Sequence, residues 1–224
     1  MSQDEIAQII RTIKGRLRLA MNGAVSHSMR EKGLTYKLNF GVEIPRIKEI
    51  AKDYAPDHSL AQALWNEDIR ECKILAGLLM PVDNFVPEVA DIWVSEIRNP
   101  EMAELTSMNL FARLPYAPQK SLQWIACDKS YIQACGYLTI ARLLLKKGDL
   151  PQRVENELLD QAVTGFIAGD YFVRTAIMAM LRRYISHSED HAFAMARRVE
   201  AMQESRDEGE KLLYAFVKDE LEPL

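Results

Sequence analysis

The sequence predicts an all-α fold, a curved solenoid of stacked antiparallel helix pairs. Three observations lead there. Apolar residues recur three and four apart almost everywhere, and two-residue alternation is never sustained over a strand length. Helix-start signals stand before the periodic runs, and the connections between runs are short, so neighbours should pack antiparallel. Similar blocks also return along the chain, as stacked repeats require.

The elements follow in order. Ser2 with Glu5 makes a capping box, in which each side chain satisfies the other's free N–H, for a helix over 3–21. Its stripe is Ile6, Ile9, Ile10, Ile13 and Leu17. A short helix is expected at 25–32. Pro45 heads 45–54, where a missing N–H in the first turn costs nothing. Ser59 with Gln62 reads as a second box, for 58–64, and Ile69, Cys72, Leu75, Ala76 and Leu79 stripe 67–79. Pro87, Pro100 and Pro118 head 86–97, 101–113 and 119–127. Ile132, Cys135, Leu138, Ile140 and Leu143 stripe 129–146, and Pro151 precedes 152–167. Val173, Ala176, Ile177, Met180 and Leu181 stripe 170–185. Ser188 caps 189–203, and Ser205 with Glu208 opens the last helix, 206–220.

Three blocks share an apolar residue, then Arg or Gln, then a small residue two further on: Ile69/Arg70/Cys72, Ile132/Gln133/Cys135 and Val173/Arg174/Ala176. The intervals, 133 − 70 = 63 and 174 − 133 = 41, leave room for a weaker copy near Glu104. This is the helix-pair period of a HEAT-like repeat, and stacking such pairs gives a curved array with a concave groove. Ile69, Cys72, Leu75, Ile132, Cys135, Leu138, Val173, Ala176 and Ile177 are the expected core. A single domain is expected over 1–224, with a basic N-terminal portion to about 40 and an acidic helix at about 205–221.

Composition narrows the function. The chain has 224 residues, 48% of them hydrophobic and 27% charged, which excludes disorder. Net charge is 28 − 32 = −4, so overall charge does not mark a nucleic-acid binder. The charge is uneven, however. Arg11 to Lys37 holds seven bases and one acid, 7 − 1 = +6, and Val199 to Leu224 holds eight acids and three bases, 3 − 8 = −5. Such asymmetry points to an anion-facing end, or to solvated helix faces. Cys72, Cys127 and Cys135 make no C-x-x-C pair. With no basic n-region and no apolar run of spanning length, a reduced, cytoplasmic protein away from membranes is expected.

The search for chemistry finds no phosphate loop, H-E-x-x-H, G-x-S-x-G or paired Cys site. His187 and His191 stand four apart, but Ser188 between them reads as a cap, leaving His187 outside the helix and no third ligand. No metal or other cofactor is expected. Trp65, Trp93 and Trp124 read as core, and Cys72 and Cys135 as small core fillers.

The stretches 41–53 (GVEIPRIKEIAKD), 63–72 (ALWNEDIREC), 124–133 (WIACDKSYIQ) and 171–184 (YFVRTAIMAMLRRY) together resemble the AlkD-like DNA alkylation repair family, in order and spacing, over about 25–200. The resemblance implies an all-helical HEAT-like solenoid holding duplex DNA. Active members excise positively charged N3- or N7-alkylated purines, using tryptophans and a carboxylate. It places the first tryptophan at Ala103, the aspartate at Ser107, an arginine at Ala134 and the second tryptophan at Ala179. Arg142 and Arg182 match phosphate-contacting positions. Serine supplies no charge near neutral pH, and a shifted alignment brings Glu101 or Glu104 to the site instead.

The expectation is therefore a non-catalytic or diverged member, with no catalytic residue, that binds nucleic acid weakly and without sequence preference. Lys37, Lys129, Arg142, Arg174, Arg182 and Arg183 would make the phosphate contacts. Each of these has the alternative of a surface ion pair. The rival functions are an alkylpurine glycosylase with relocated residues and a scaffold holding a protein partner in its groove.

Overall fold

A computed structural model of the chain describes residues 1–34, 36–146 and 151–222. Thirteen α-helices lie among them. They are α1 (Gln3–Leu19), α2 (Gly23–Glu31), α3 (Ile44–Ala51), α4 (His58–Asn66), α5 (Arg70–Leu79), α6 (Pro87–Ser95), α7 (Pro100–Asn109), α8 (Ala117–Ile125), α9 (Ser130–Leu145), α10 (Gln152–Ala168), α11 (Tyr171–Ile185), α12 (Glu189–Val199) and α13 (Glu208–Leu221). Short 3-10 turns occupy Val82–Asn84, Phe111–Arg113 and Glu200–Glu204. Among the described residues the extended pairing is one isolated parallel bridge, Leu38 with Ile69. Each helix falls within a few residues of its expected place.

The helix starts separate the capping signals that form from those that do not. The box at Ser2 forms in both directions, with Glu5 N donating to Ser2 Oγ and Ser2 N donating to a Glu5 carboxylate oxygen. The boxes at Ser59 and Ser205 do not. Asp57 caps α4 by accepting from Leu60 N (2.8 Å), and Asp207 caps α13 by accepting from Glu210 N (3.0 Å). A carboxylate at the cap adds favourable charge at the positive helix end, which serine lacks. The prolines behave as expected: Pro87 and Pro100 open α6 and α7, Pro45 and Pro118 sit in first turns, and Pro151 is the α10 cap.

The chain divides into two compact units, Met1–Pro115 and Tyr116–Leu224. In the first, the core is built on an aromatic stack. Trp65 of α4 lies on Trp93 of α6 with centroids 4.1 Å apart and planes 7° from parallel, and Phe85 meets Trp93 edge-on. Both indole N–H groups are satisfied, by Glu96 and by Gln62. In the second unit α9 packs between α8 and α11. Gly136 permits the close approach to α8, because a Cβ there would stand 2.7 Å from Ser121 O. Tyr137, Ile140, Leu158, Ile177, Met180, Met195 and Leu213 fill the core.

Seven of the nine expected core residues are buried, including Cys72 and Cys135. Ile132 and Leu138 are only half-buried. A helix with neighbours on two sides buries Ala134, Tyr137, Ile140, Ala141 and Leu144 as well, so a single stripe describes it poorly.

The repeat itself is real but its register differs at the first copy. Gln133 is the fourth residue of α9 and donates to Ile125 O, near the end of α8 (3.3 Å). Arg174 is the fourth residue of α11 and donates to Phe166 O (2.8 Å) and Ile167 O (2.9 Å), near the end of α10. The fourth residue of α5 is Lys73, not Arg70, and its Nζ donates to Trp65 O (2.8 Å) at the end of α4. In all three the acceptor lies eight residues back, where a helix leaves its carbonyls unpaired. The equivalent position in α7 is Ala103, and there Arg98 donates instead to the carbonyls of Ser95 and Ile97.

Candidate nucleic-acid interface

The corrected register aligns α9 with α11 residue by residue. Gln133 matches Arg174, and nine residues on, Arg142 matches Arg183. Both arginines lie in the last turns of helices that pack side by side. A cation there is favoured by the helix dipole whatever else it does. Arg183 is exposed and Arg142 half-buried. Equivalent positions on adjacent helices make this the regular part of the candidate interface.

The other four residues have different surroundings. Lys129, exposed, is the N-cap of α9, thirteen residues before Arg142 and so about 20 Å away along the helix. The two therefore cannot share a phosphate. Arg174 is turned to the carbonyls of α10. Arg182 donates through Nε (2.8 Å) and a terminal nitrogen (2.6 Å) to Glu220 Oε1 of α13, and its guanidinium lies 5.7 Å from the Phe216 ring centre. The bond to Glu220 raises its pKa further above the usual arginine range. Lys37 is exposed in the first unit, between α2 and α3.

The positions that the resemblance assigned to catalysis are mostly interior. Ala103, Ser107 and Ala134 are fully buried, and Ala179 is half-buried. Of the two alternative carboxylates, Glu104 is exposed on α7, while Glu101 belongs to a network that sequence reasoning missed. Arg70, 1% exposed, grips it twice, through Nε (2.8 Å) and a terminal nitrogen (2.7 Å). Tyr36 donates to it as well (3.0 Å). The other side of Arg70 donates to Val42 O and to Glu71. Glu71, fully buried, accepts from the backbone N–H groups of Phe40 and Val42 (3.2 Å each). Burial lowers the Arg70 pKa, but its bonds to Glu101 and Glu71 outweigh this and the net shift is upward. Burial likewise pushes the Tyr36 hydroxyl well above the usual phenol range. With both oxygens accepting from Arg70 and Tyr36, Glu101 anchors α7 to α5 and the 36–42 segment.

A carboxylate followed in sequence by two aromatic residues stands at the start of α11. Asp170 stands next to Tyr171 and Phe172, and Tyr131 lies 5.0 Å from Phe172. The Asp170 side chain caps the helix by accepting from Val173 N (2.9 Å). Its bond to the Ser130 side chain, then those to the backbone N–H groups, hold its pKa below the usual range. Cys72 is an unreactive thiol, its pKa pushed up to about 12 by burial.

Two clefts of about 520 Å³ open in the second unit, one at Tyr137 and Gly165, the other at Phe193 and Tyr214. None of the six candidate cations lines either. Ser188 accepts from His191 N as the cap of α12. Among the described residues there is no group of three or more His, Cys, Asp or Glu placed to hold a metal, and no helix long and apolar enough to cross a membrane.

Paired helices in a repeating register, with the fourth residue of one helix closing the end of the one before it, define a HEAT-like helical repeat protein. The family model described as DNA alkylation repair enzyme matches residues 13–213, and the chain belongs to that family. Among solved structures, it is similar to one described as a new family of proteins related to the HEAT-like repeat DNA glycosylases with affinity for branched DNA structures. The TM-score is 0.79 and the identity 16%, over 95% of this chain and 94% of that one. No curated protein matches.

Proposed function

We propose that the chain binds DNA without excising alkylated bases, as a non-catalytic member of its family. The observation that carries this is the burial of Ala103, Ser107 and Ala134, together with the engagement of Glu101 by Arg70 and Tyr36. Excision of a cationic purine leaves a developing positive charge on the sugar, and a carboxylate facing it is the natural stabiliser. Neither the buried Ser107 hydroxyl nor a carboxylate already neutralised by Arg70 offers that charge to a bound nucleotide.

Binding rests on Arg142 and Arg183, at matching positions on adjacent helices of the second unit, with Lys129 at the far end of α9. Arg182 joins them when it leaves Glu220, while Arg174 positions α10 and takes no phosphate. Phosphate contacts of this kind give affinity that falls with salt and does not read sequence. The structural neighbour's affinity for branched DNA supports the same class of ligand. The test is to incubate the purified protein with duplex carrying N3- or N7-methylpurine, to follow base release, and to titrate the same duplex for binding at two salt concentrations. Salt-sensitive binding with release at the spontaneous rate is expected. Release above that rate, abolished by changing a nearby carboxylate, would falsify the non-catalytic reading.

A further inference from the structure

The basic N-terminal stretch belongs to none of the contacts above except through Lys37. Of its seven bases, Lys14 pairs with Glu67 (2.7 Å) and Arg16 with Asp53 (2.6 Å). Arg11, Arg18, Arg30, Lys32 and Lys37 are exposed and make no ion pair among the described residues. The one acid in the stretch, Glu31, faces His27 (3.3 Å). Five cations thus stand without an ion pair among the described residues in one short stretch of chain, against the single negative charge of Glu31.

Apolar side chains stand among them. Leu19, the last residue of α1, is 90% exposed, Met21 is 58% exposed and Leu38 is 43% exposed. A single exposed leucine needs no explanation. These three, however, lie on two segments that the backbone holds together. Asn22 N donates to Phe40 O (2.9 Å), which ties the turn after α1 to the 37–40 segment. Asn22 Oδ1 accepts from Val25 N (3.2 Å). Gly41, at φ 71°, comes so close that a Cβ would stand 2.2 Å from Asn22 O. The tip is therefore fixed by main-chain contacts that leave its side chains outside, so little order remains to be imposed on binding. Arg11 and Arg18, seven residues apart, share one face of α1 to within about 20°, and Leu19 lies beside that face.

We infer that Leu19, Met21 and Leu38 form an apolar wedge that packs on base faces exposed at a DNA branch, while Arg11, Arg18 and Lys37 hold the flanking phosphates. Continuous duplex hides its base faces inside the stack, so a wedge must first unstack and kink a base step to bury itself there. At a branch point the stack is already interrupted, so leucine and methionine reach base faces without that unstacking cost. The surrounding cations match a polyanion rather than a neutral protein surface. The inference rests on the DNA-binding reading above, but it uses other residues and concerns another ligand form.

The experiment compares the full chain with the double variant Leu19→Gln/Met21→Gln. Each is titrated into a labelled blunt duplex, a four-way junction with arms of the same sequence, and vesicles containing anionic phospholipid. Both substitutions are at exposed positions, and thermal melting confirms that the fold is kept. The wild-type protein is expected to prefer the junction. The variant should lose about tenfold in junction affinity, with duplex affinity changed by less than about twofold. Equal wild-type affinity for junction and duplex, or a junction preference that survives in the variant, would overturn the wedge and leave DNA binding standing. Binding to vesicles with no DNA bound in either form would overturn both readings.

Discussion

Arg70 and Arg183 are the same residue type in the two halves of the molecule, and they do opposite things. Arg70 lies in the interior between two carboxylates and a carbonyl, joining α5 and α7 to the 40–42 segment. Arg183 lies exposed at the end of α11, matched by Arg142 on the neighbouring helix. Between these extremes stands Arg174, which closes the end of α10 from the same helix that carries Arg183. A basic residue in a sequence is thus not a basic residue at a surface. What decides is whether a carbonyl or carboxylate lies within reach when the helices pack.

The largest effect expected from this contrast is at Arg70. Arg70→Met keeps the volume but leaves Glu71 and Glu101 without their cation, and should destabilise by about 3–5 kcal/mol in urea denaturation. A loss below about 1 kcal/mol would mean that the buried network contributes little and the contrast is false. Arg174→Ala should cost less, about 1–3 kcal/mol, because two carbonyls at a helix end lose a charged donor. Its duplex affinity should match the wild type once folded. Weaker binding at unchanged stability would move Arg174 into the interface.

Asp170 sharpens the comparison from the acidic side. Its folded-state pKa is depressed, so its contribution is fully present above the unfolded carboxylate value of about 3.9 and is lost as pH falls through the lower folded value. Asp170→Ala should cost about 1 kcal/mol near neutral pH, the usual loss of a cap. The gap to wild type should close only in strong acid. A gap that instead closed between pH 5 and 7 would point to some group other than this carboxylate.

The helices were largely legible in the sequence, because amphipathic period, prolines and short connections all point the same way. The errors came where two residues satisfied one rule. At α4 and α13, Ser59 and Ser205 fit the box pattern, but Asp57 and Asp207, two residues before and two after them, are better caps. At α5, Arg70 and Lys73 are three apart and lie on the same helix face, so periodicity cannot tell which one closes α4. The Arg70–Glu71–Glu101–Tyr36 network had no sequence signal, because its members come from three separate segments. Arg182 and Arg183 are neighbours with equal charge. Only the packing of α13 shows that it is the first that Glu220 engages.

The central claim is that DNA is held by cations at matched repeat positions, and its most direct measurement is the salt dependence of duplex binding. Arg142→Ala/Arg183→Ala should stay folded, at a cost of about 1–2 kcal/mol from two helix ends that each lose a cation. Its plot of log affinity against log salt should be shallower by about 2, roughly one for each lost phosphate contact, with the weakening equal for every sequence. An unchanged affinity and slope in a folded double variant would contradict the account.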